Sequence, residues 1–484
     1  MWDVVVIGAG FSGLQAAYSA KASGLSVAVV EARDRVGGKS FTIPLANGRG
    51  TADLGAAWVN QHLQPRVWSL IERFGLAGKV VEQRLGGTAV MVTAESERIE
   101  FPFGITPHVS MPAAQDMAHR LGSNIFYLQF TAEEQEDLVK IRDHIQAESL
   151  NPTGFRKEDD GLSLDQYVRN LGTLPKTLAM VNLWTRVMHG LESTEESAAF
   201  FIDYCRTNHG LLSIRADDRT GGNYMRLTAG TQSIAKGLAQ LIGADSVHLS
   251  SPVSLIEDKG SHVVVTTKNG RTFEGRKLIV SIPSALFREL DFSPPLPERL
   301  EQVTRSTKLG HYNKALVFYH RPWWRARGFN GFMMSFQGPV CVARDTSFDD
   351  LGIYGLTCFV NGRPGQEWAR LPPSERRRVV LEQLATVFDT GASPDARRPT
   401  EYMDQIWQHE EFSRGALAPV PAIGHYAAFS DVYGKPAGNI HFVGTEYSRH
   451  WKGYIEGALA SGQAGAKEVL DALQKPKEAL KSML

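Results

Sequence analysis

The chain has 484 residues, room for about three compact units at roughly 150 residues each, and its 43% hydrophobic and 21% charged content excludes disorder, collagen and coiled coil. Lysine plus arginine equals aspartate plus glutamate at 52 each, which removes any global electrostatic case for a nucleic-acid partner or an anionic membrane surface. Glycine, at 46 residues, stands above its usual level of about 7%, and nine of these glycines fall within the first 55 positions.

Residues Asp3 to Ile7 read as a fully buried strand. It runs straight into Gly8-Ala9-Gly10-Phe11-Ser12-Gly13 and then a small-residue helix, Leu14 to Ala20, closed by Gly24. Gly8 permits the turn, Gly10 lets the backbone approach a pyrophosphate, and Gly13 allows the helix to pack closely on the strand. The helix N-terminus offers free N–H groups to phosphate charge. A second strand, Leu25 to Val30, ends in Glu31, placed to accept hydrogen bonds from a ribose. Strand, glycine turn, helix and acid together predict a dinucleotide-binding unit.

The next segment, Glu31-Ala32-Arg33-Asp34-Arg35-Val36-Gly37-Gly38-Lys39, adds basic side chains and a second glycine turn suited to a long, bent dinucleotide such as FAD. Here the sequence resembles the flavin-containing amine oxidases, the monoamine oxidase family, which carry Arg where this chain has Lys39. The resemblance continues in Asp53-Leu54-Gly55-Ala56-Ala57-Trp58, the run that lies beside the flavin ring in that family.

Between about 111 and 222 the pattern turns helical, with three capping-box signatures at Thr131-x-x-Glu134, Ser163-x-x-Gln166 and Ser193-x-x-Glu196. Leu138, Ile141 and Ile145 recur at helical spacing as a core-facing stripe. His119, His144, His189 and His209 show no metal-ligand spacing and are expected to be surface or satisfied core residues. From Thr228 the chain returns to α/β character. A helix from Thr231, with Ile234, Leu238 and Leu241 on one face, stops at Gly243. Strands follow at 247–249, 253–257, 262–267 and 277–281, with turns at Asp258-Lys259-Gly260 and Lys268-Asn269-Gly270. A longer strand at Asn313 to Tyr319 and a helix near Ser374 to Phe388 lie within 291–400, which looks like a substrate lobe.

A strand at Asn439 to Val443 ends in Gly444-Thr445-Glu446, and His450-Trp451-Lys452-Gly453-Tyr454-Ile455-Glu456-Gly457 opens a small-residue helix. A strand ending in glycine beside a helix N-terminus offers backbone donors to a flavin. The resembled family has this run against the isoalloxazine.

The resemblance implies an α/β fold. A Rossmann-like FAD-binding domain would be assembled from 1–80, 223–290 and 401–470, and a substrate domain of mixed sheet and helices from 81–222 and 291–400, leaving 471–484 as a tail. It implies cofactor contacts at Gly8, Gly10, Ser12, Gly13, Glu31, Ala32, Arg33, Gly38, Lys39, Gly55, Ala56, Ala57, Trp58, Val253, Gly444, Thr445, Glu446, Tyr454 and Ile455. Lys314 matches the lysine that holds a water against flavin N5, Tyr454 an aromatic facing the substrate, and Trp407 a tryptophan near the flavin. The family's cysteine-tyrosine pair matches Ala416 and Leu417, so FAD is expected to be non-covalent and the aromatic cage one-sided. No arginine stands out as a carboxylate clamp.

The expected activity is oxidative deamination of a primary amine by O2. The substrate would be aliphatic or bulky, with a long-chain amino-polyol of the fumonisin type as one candidate. The alternatives are a polyamine or L-amino-acid oxidase on the same fold, or a flavin-binding structural or interaction protein. Cys205, Cys341 and Cys358 form no CxxC pair and predict neither disulfide framework nor zinc site. No apolar run reaches the ~18 residues a bilayer requires, so no membrane anchor is expected. The family suggests a homodimer. A cytoplasmic location is expected, with the peroxisome as alternative because Ser482-Met483-Leu484 is similar to its C-terminal address.

Overall fold

The Val4-Val5-Val6 run has no polar side chain to offer solvent, and it becomes part of a strand, Trp2–Ile7, buried in the middle of a sheet. A computed structural model describes residues 1–103, 130–388 and 394–481 of the chain. Trp2–Ile7 pairs in parallel with Val27–Val30 on one side and Thr272–Val280 on the other. Val247–His248 extends the first edge, and Ile440–Phe442 runs parallel to the end of Thr272–Val280. The beginning of that long strand pairs instead with Val263–Thr267, followed by Val253–Asp258 and Asp291–Ser293, completing an eight-stranded sheet.

The helix Phe11–Ala22 presents Ala16, Ala17 and Ala20 to this core, and Leu459 and Ala466 of the C-terminal helix Ile455–Lys481 join the same cluster. Small residues let the two helices approach closely. A side chain on Gly462 would place its Cβ 2.2 Å from the Ser12 carbonyl oxygen, so glycine there is a condition of the contact.

A second sheet of seven strands runs in the order Glu401–Ile406, Tyr312–Tyr319, Tyr354–Asn361, Val342–Asp345, Phe329–Ser335, Thr88–Val92 and Arg98–Pro102. Alternate residues face opposite sides, as the two-residue period of a strand requires. Met91, Met334, Val342 and Phe359 pack against the helices Ala132–Ser149, Pro175–His189 and Ala198–Thr207, whereas Val90, Met333, Ala343 and Cys358 pack against Pro373–Phe388. The expected Leu138, Ile141 and Ile145 stripe is buried in the first of these layers.

Most predicted elements form within a residue or two of their expected bounds, although the strand expected from Lys277 begins at Thr272. Thr131 and Glu134 make a complete capping box, and Ser163 caps Leu164–Asn170 through the Gln166 N–H. Ser193 starts no helix: its hydroxyl bonds Asn182 at 3.0 Å, Glu196 pairs with His189, and Ser197 caps the helix that begins at Ala198. On the helix Gln232–Ile242 the buried face carries Ile234, Leu238 and Ile242, and Leu241 is only partly buried. Backbone pairing places Glu401–Ile406 in the second sheet and Asp291–Ser293 in the first, so the chain crosses between the sheets a few residues from the expected boundaries at 401 and 290. His189 is a core residue, and His144 bonds the Tyr167 hydroxyl. His119, the stretch 111–129 and Ser482-Met483-Leu484 lie outside the described residues.

Candidate active site

Two cavities, of about 260 and 190 Å3, meet at Ala56, Leu417, Gly453, Tyr454 and Ile455. The larger follows the carboxyl end of the first sheet. Gly8, Gly10 and Ser12 border it where the first strand turns into its helix. Gly8 has φ +97°, which favours glycine, and nothing stands within 4 Å of where a Gly10 side chain would begin. No side chain caps that helix, so its first N–H groups are free to bond an anion. Gly13 is not in the wall but behind it: its Cβ would stand 2.1 Å from the Gly8 carbonyl oxygen.

Glu31, at the end of the second strand, is buried on the same cavity. One carboxylate oxygen accepts from the Ala9 N–H at 2.6 Å and the other from the Arg33 N–H at 2.8 Å. Each keeps a lone pair for a sugar hydroxyl. Ala32, Arg33, Gly38, Lys39 and Val253 also border this cavity, as do Ser281 and the run 411–414, which sequence reasoning missed.

At the junction, the Lys39 ammonium donates to the Leu417 carbonyl at 2.6 Å, and burial lowers Lys39 to about 8. Leu417 sits at φ +58°, a left-handed backbone costing a branched residue roughly 1–2 kcal/mol. The Lys39 bond helps to hold that turn. Gly444, Thr445 and Glu446 border the larger cavity just past the strand Ile440–Phe442. Thr445 Oγ1 accepts the Gly453 N–H at 2.7 Å and donates to the Tyr454 carbonyl at 3.1 Å, tying the loop before the C-terminal helix. Burial raises the Glu446 carboxyl, which accepts the Ser284 N–H at 3.1 Å.

The smaller cavity holds Gly55, Ala56, Ala57, Trp58, Lys314 and Tyr454 together. Lys314 opens into it from the second sheet. Its ammonium donates to the Gly55 carbonyl and, at 3.3 Å, to the Asp53 carbonyl, and lies 5.3 Å from the Trp58 ring centre and 5.5 Å from that of Phe359. Two of its three N–H groups are thereby engaged, leaving one for a ligand or water. Burial lowers Lys314 to about 8, opposed by the Asp53 charge. Trp407 lines neither cavity; it is buried with its indole N–H on the Leu54 carbonyl at 3.2 Å, bracing the backbone beneath Gly55.

Tyr454 stands edge-on to Trp451 with ring centres 4.9 Å apart. A side chain on Gly222 would place its Cβ 2.8 Å from the phenol oxygen. Burial drives the Tyr454 hydroxyl above its ordinary range, so it stays neutral. Two residues earlier, Lys452 donates to Asp203 at 2.8 Å and to the Tyr426 hydroxyl at 2.6 Å. Burial alone would raise Asp203, but Lys452, Tyr426 and Arg206 outweigh it and hold the carboxyl at about 2. This buried pair fastens the Tyr454 loop to the helix Ala198–Thr207.

Leu417 faces the junction, but Trp184, Tyr204, Tyr312, Phe332 and Phe359 line the cavity from other elements. Two arginines, Arg215 and Arg344, also reach it, although none stood out in the sequence. The only sequence signal for these residues was helical or strand periodicity, which marks them as core. No aspartate, glutamate, histidine or cysteine borders the smaller cavity among the described residues.

Residues 11–470 match the model of the flavin-containing amine oxidoreductase family. The chain is 30% identical to flavin-containing amine oxidase B of Cavia porcellus over 478 residues, covering 98% of this chain and 87% of the relative. A putrescine oxidase solved with putrescine bound shares the fold, with TM-score 0.84 and 24% identity over 97% of this chain and 99% of that one. Cyclohexylamine oxidase of Brevibacterium oxydans IH-35A does too, with TM-score 0.84 and 23% identity over 98% and 99%. Among the described residues no helix is long and apolar enough to cross a membrane, and no cluster of metal-binding side chains occurs. The chain belongs to the flavin-containing amine oxidase family and is an FAD-dependent amine oxidase.

Proposed function

We propose that the chain oxidises a primary monoamine on an aliphatic or bulky chain, long-chain amino-polyols included, using non-covalent FAD. The larger cavity fits the cofactor. Gly8, Gly10 and Ser12 would hold the pyrophosphate, Glu31 the ribose, and Gly444 to Glu446, with Ile455, the flavin end. Ala416 replaces the family's cysteine, and neither cavity is bordered by a cysteine or histidine among the described residues, which supports a non-covalent cofactor.

When bound, FAD supplies the two-electron chemistry: it takes a hydride equivalent from the carbon bearing the neutral amine and returns the electrons to O2 as hydrogen peroxide. The resulting imine hydrolyses to a carbonyl compound and ammonia. The protein's part is orientation and exclusion of water. Tyr454, Tyr204 and Tyr312 would present neutral rings to the amine. Lys314 would hold a water or polar substrate atom with its remaining N–H. Its charge, and the absence of any carboxylate from the described wall, favour the unprotonated amine over its ammonium ion.

The observation that carries the monoamine reading is that same wall, which offers no anion to the second ammonium of a diamine. It sets the polyamine alternative behind a monoamine. The test is a panel of alkylamines, diamines and L-amino acids, followed by peroxide release in air. Turnover of alkylamines above diamines is expected; a preference for diamines would overturn the reading.

A further inference from the structure

The amine cavity contains a positive charge, on Arg215, that shares its acidic neighbour with a second arginine. Arg215 ends the short helix Leu211–Arg215 and borders the cavity, its guanidinium 5.0 Å from the Trp184 ring centre. Arg344 lies near it but is spoken for: it pairs with Asp217 and lies 5.2 Å from the Phe332 ring centre. Arg344, Asp217, Arg142 and the Cys205 thiol act on Arg215, so the one carboxylate among them is shared with a second arginine. No hydrogen bond or ion pair joins the Arg215 side chain to any described residue. Burial lowers its guanidinium to about 10, which leaves it charged at neutral pH.

A planar fork of N–H donors in a mostly aromatic cavity is poorly satisfied by rings alone. Its natural partner is a carboxylate, which a guanidinium engages with two parallel hydrogen bonds. The part of the cavity it serves follows from its contacts. Lys314 donates to the Gly55 carbonyl and stands over Trp58 and Phe359, whereas Arg215 stands over Trp184. The two cations therefore face different parts of one wall.

We propose that Arg215 selects a primary amine whose chain carries a carboxylate several bonds away from the amino-bearing carbon. The amine end lies toward Lys314 and Tyr454, and the carboxylate lies on Arg215 beside Trp184. This rests on the monoamine reading above and narrows it. An α-amino acid does not meet the requirement, because its carboxylate lies next to the carbon that is oxidised. A diamine places an ammonium against the guanidinium.

The test compares 8-aminooctanoate, octylamine and 1,8-diaminooctane as substrates of the holoenzyme, in wild type and in Arg215→Gln and Arg215→Lys variants. In the wild type, kcat/KM should rank the carboxylated amine first and the diamine last. The ratio of 8-aminooctanoate to octylamine should fall on the order of a hundredfold in Arg215→Gln. It should recover in part in Arg215→Lys, which keeps the charge without the fork. A ratio at or below one in the wild type, or one unaltered by Arg215→Gln, overturns the proposal.

Octylamine separates the two levels. If it is oxidised while the carboxylate confers no advantage, only the Arg215 assignment falls; if neither it nor 8-aminooctanoate reduces the flavin, the monoamine reading falls and takes this one with it. Should Arg215→Gln lose its FAD, wild-type inhibition by octanoate against octanamide reads the same contact. Tighter inhibition by octanoate supports the assignment, and equal inhibition contradicts it.

Discussion

The two cavities that meet at Tyr454 are built in opposite ways. The larger is walled by short contiguous runs at strand ends, and much of its chemistry belongs to the backbone: glycine turns and uncapped N–H groups, with two buried acids, Glu31 and Glu446. The smaller is walled by single side chains from separate elements, among them Trp184, Tyr204, Arg215, Tyr312 and Phe359. A backbone site restricts the residue types at neighbouring positions, so it leaves a motif. A side-chain wall restricts only volume and polarity at scattered positions, so it leaves almost none.

That contrast can be broken from the backbone side first. Gly13→Leu has nowhere to put its side chain, because even a Cβ would stand 2.1 Å from the Gly8 carbonyl. The expected product is colourless protein, measured as flavin absorbance per chain; stoichiometric FAD in that variant would refute the backbone account.

The join between the cavities is the next target. Asp203→Ala leaves the Lys452 ammonium buried without its carboxylate, a change expected to cost about 3–5 kcal/mol, read by urea unfolding of the holoenzyme. The pH dependence has a definite sign. Asp203 is held at about 2 in the fold, below its ordinary value of 3.8. Its contribution is therefore present above the unfolded value and lost as pH falls through about 2. Wild-type and variant stabilities should converge in acid; a gap that persists there would contradict the assignment.

A smaller effect is expected on the side-chain wall. Lys314→Met should slow flavin reoxidation by O2 on the order of a hundredfold, the usual cost of losing one preorganised donor, while FAD stays bound. In the wild type the same step should weaken as pH rises through about 8, where the buried Lys314 loses its proton. Unaltered oxidative kinetics in the variant would remove Lys314 from the mechanism.

The legibility of the molecule follows the same division. The opening strand, its glycine turn and Glu31 were readable because each step depends on neighbours within about thirty residues. The Thr131 box was readable because a helix cap is local, yet the same pattern at Ser193 misled. There, tertiary partners, Asn182 for the hydroxyl and His189 for Glu196, replaced the local bond. Trp407, expected near the flavin, is buried with its indole N–H on the Leu54 carbonyl. The aromatic wall and Arg215 were not readable. The sheet and helices that bring Tyr312, Tyr204 and Arg215 together are joined by hydrogen bonds and packing between residues more than a hundred positions apart.

The central claim is that a neutral amine, set between Lys314 and the aromatic wall, gives its electrons to an FAD held by the glycine turns. It is tested most directly by mixing the yellow holoenzyme anaerobically with octylamine and following flavin absorbance from about pH 6 to about pH 10. The account predicts complete bleaching, at a rate that rises with pH as the substrate ammonium deprotonates. A flavin that stays oxidised, or a bleaching rate indifferent to pH, would contradict it.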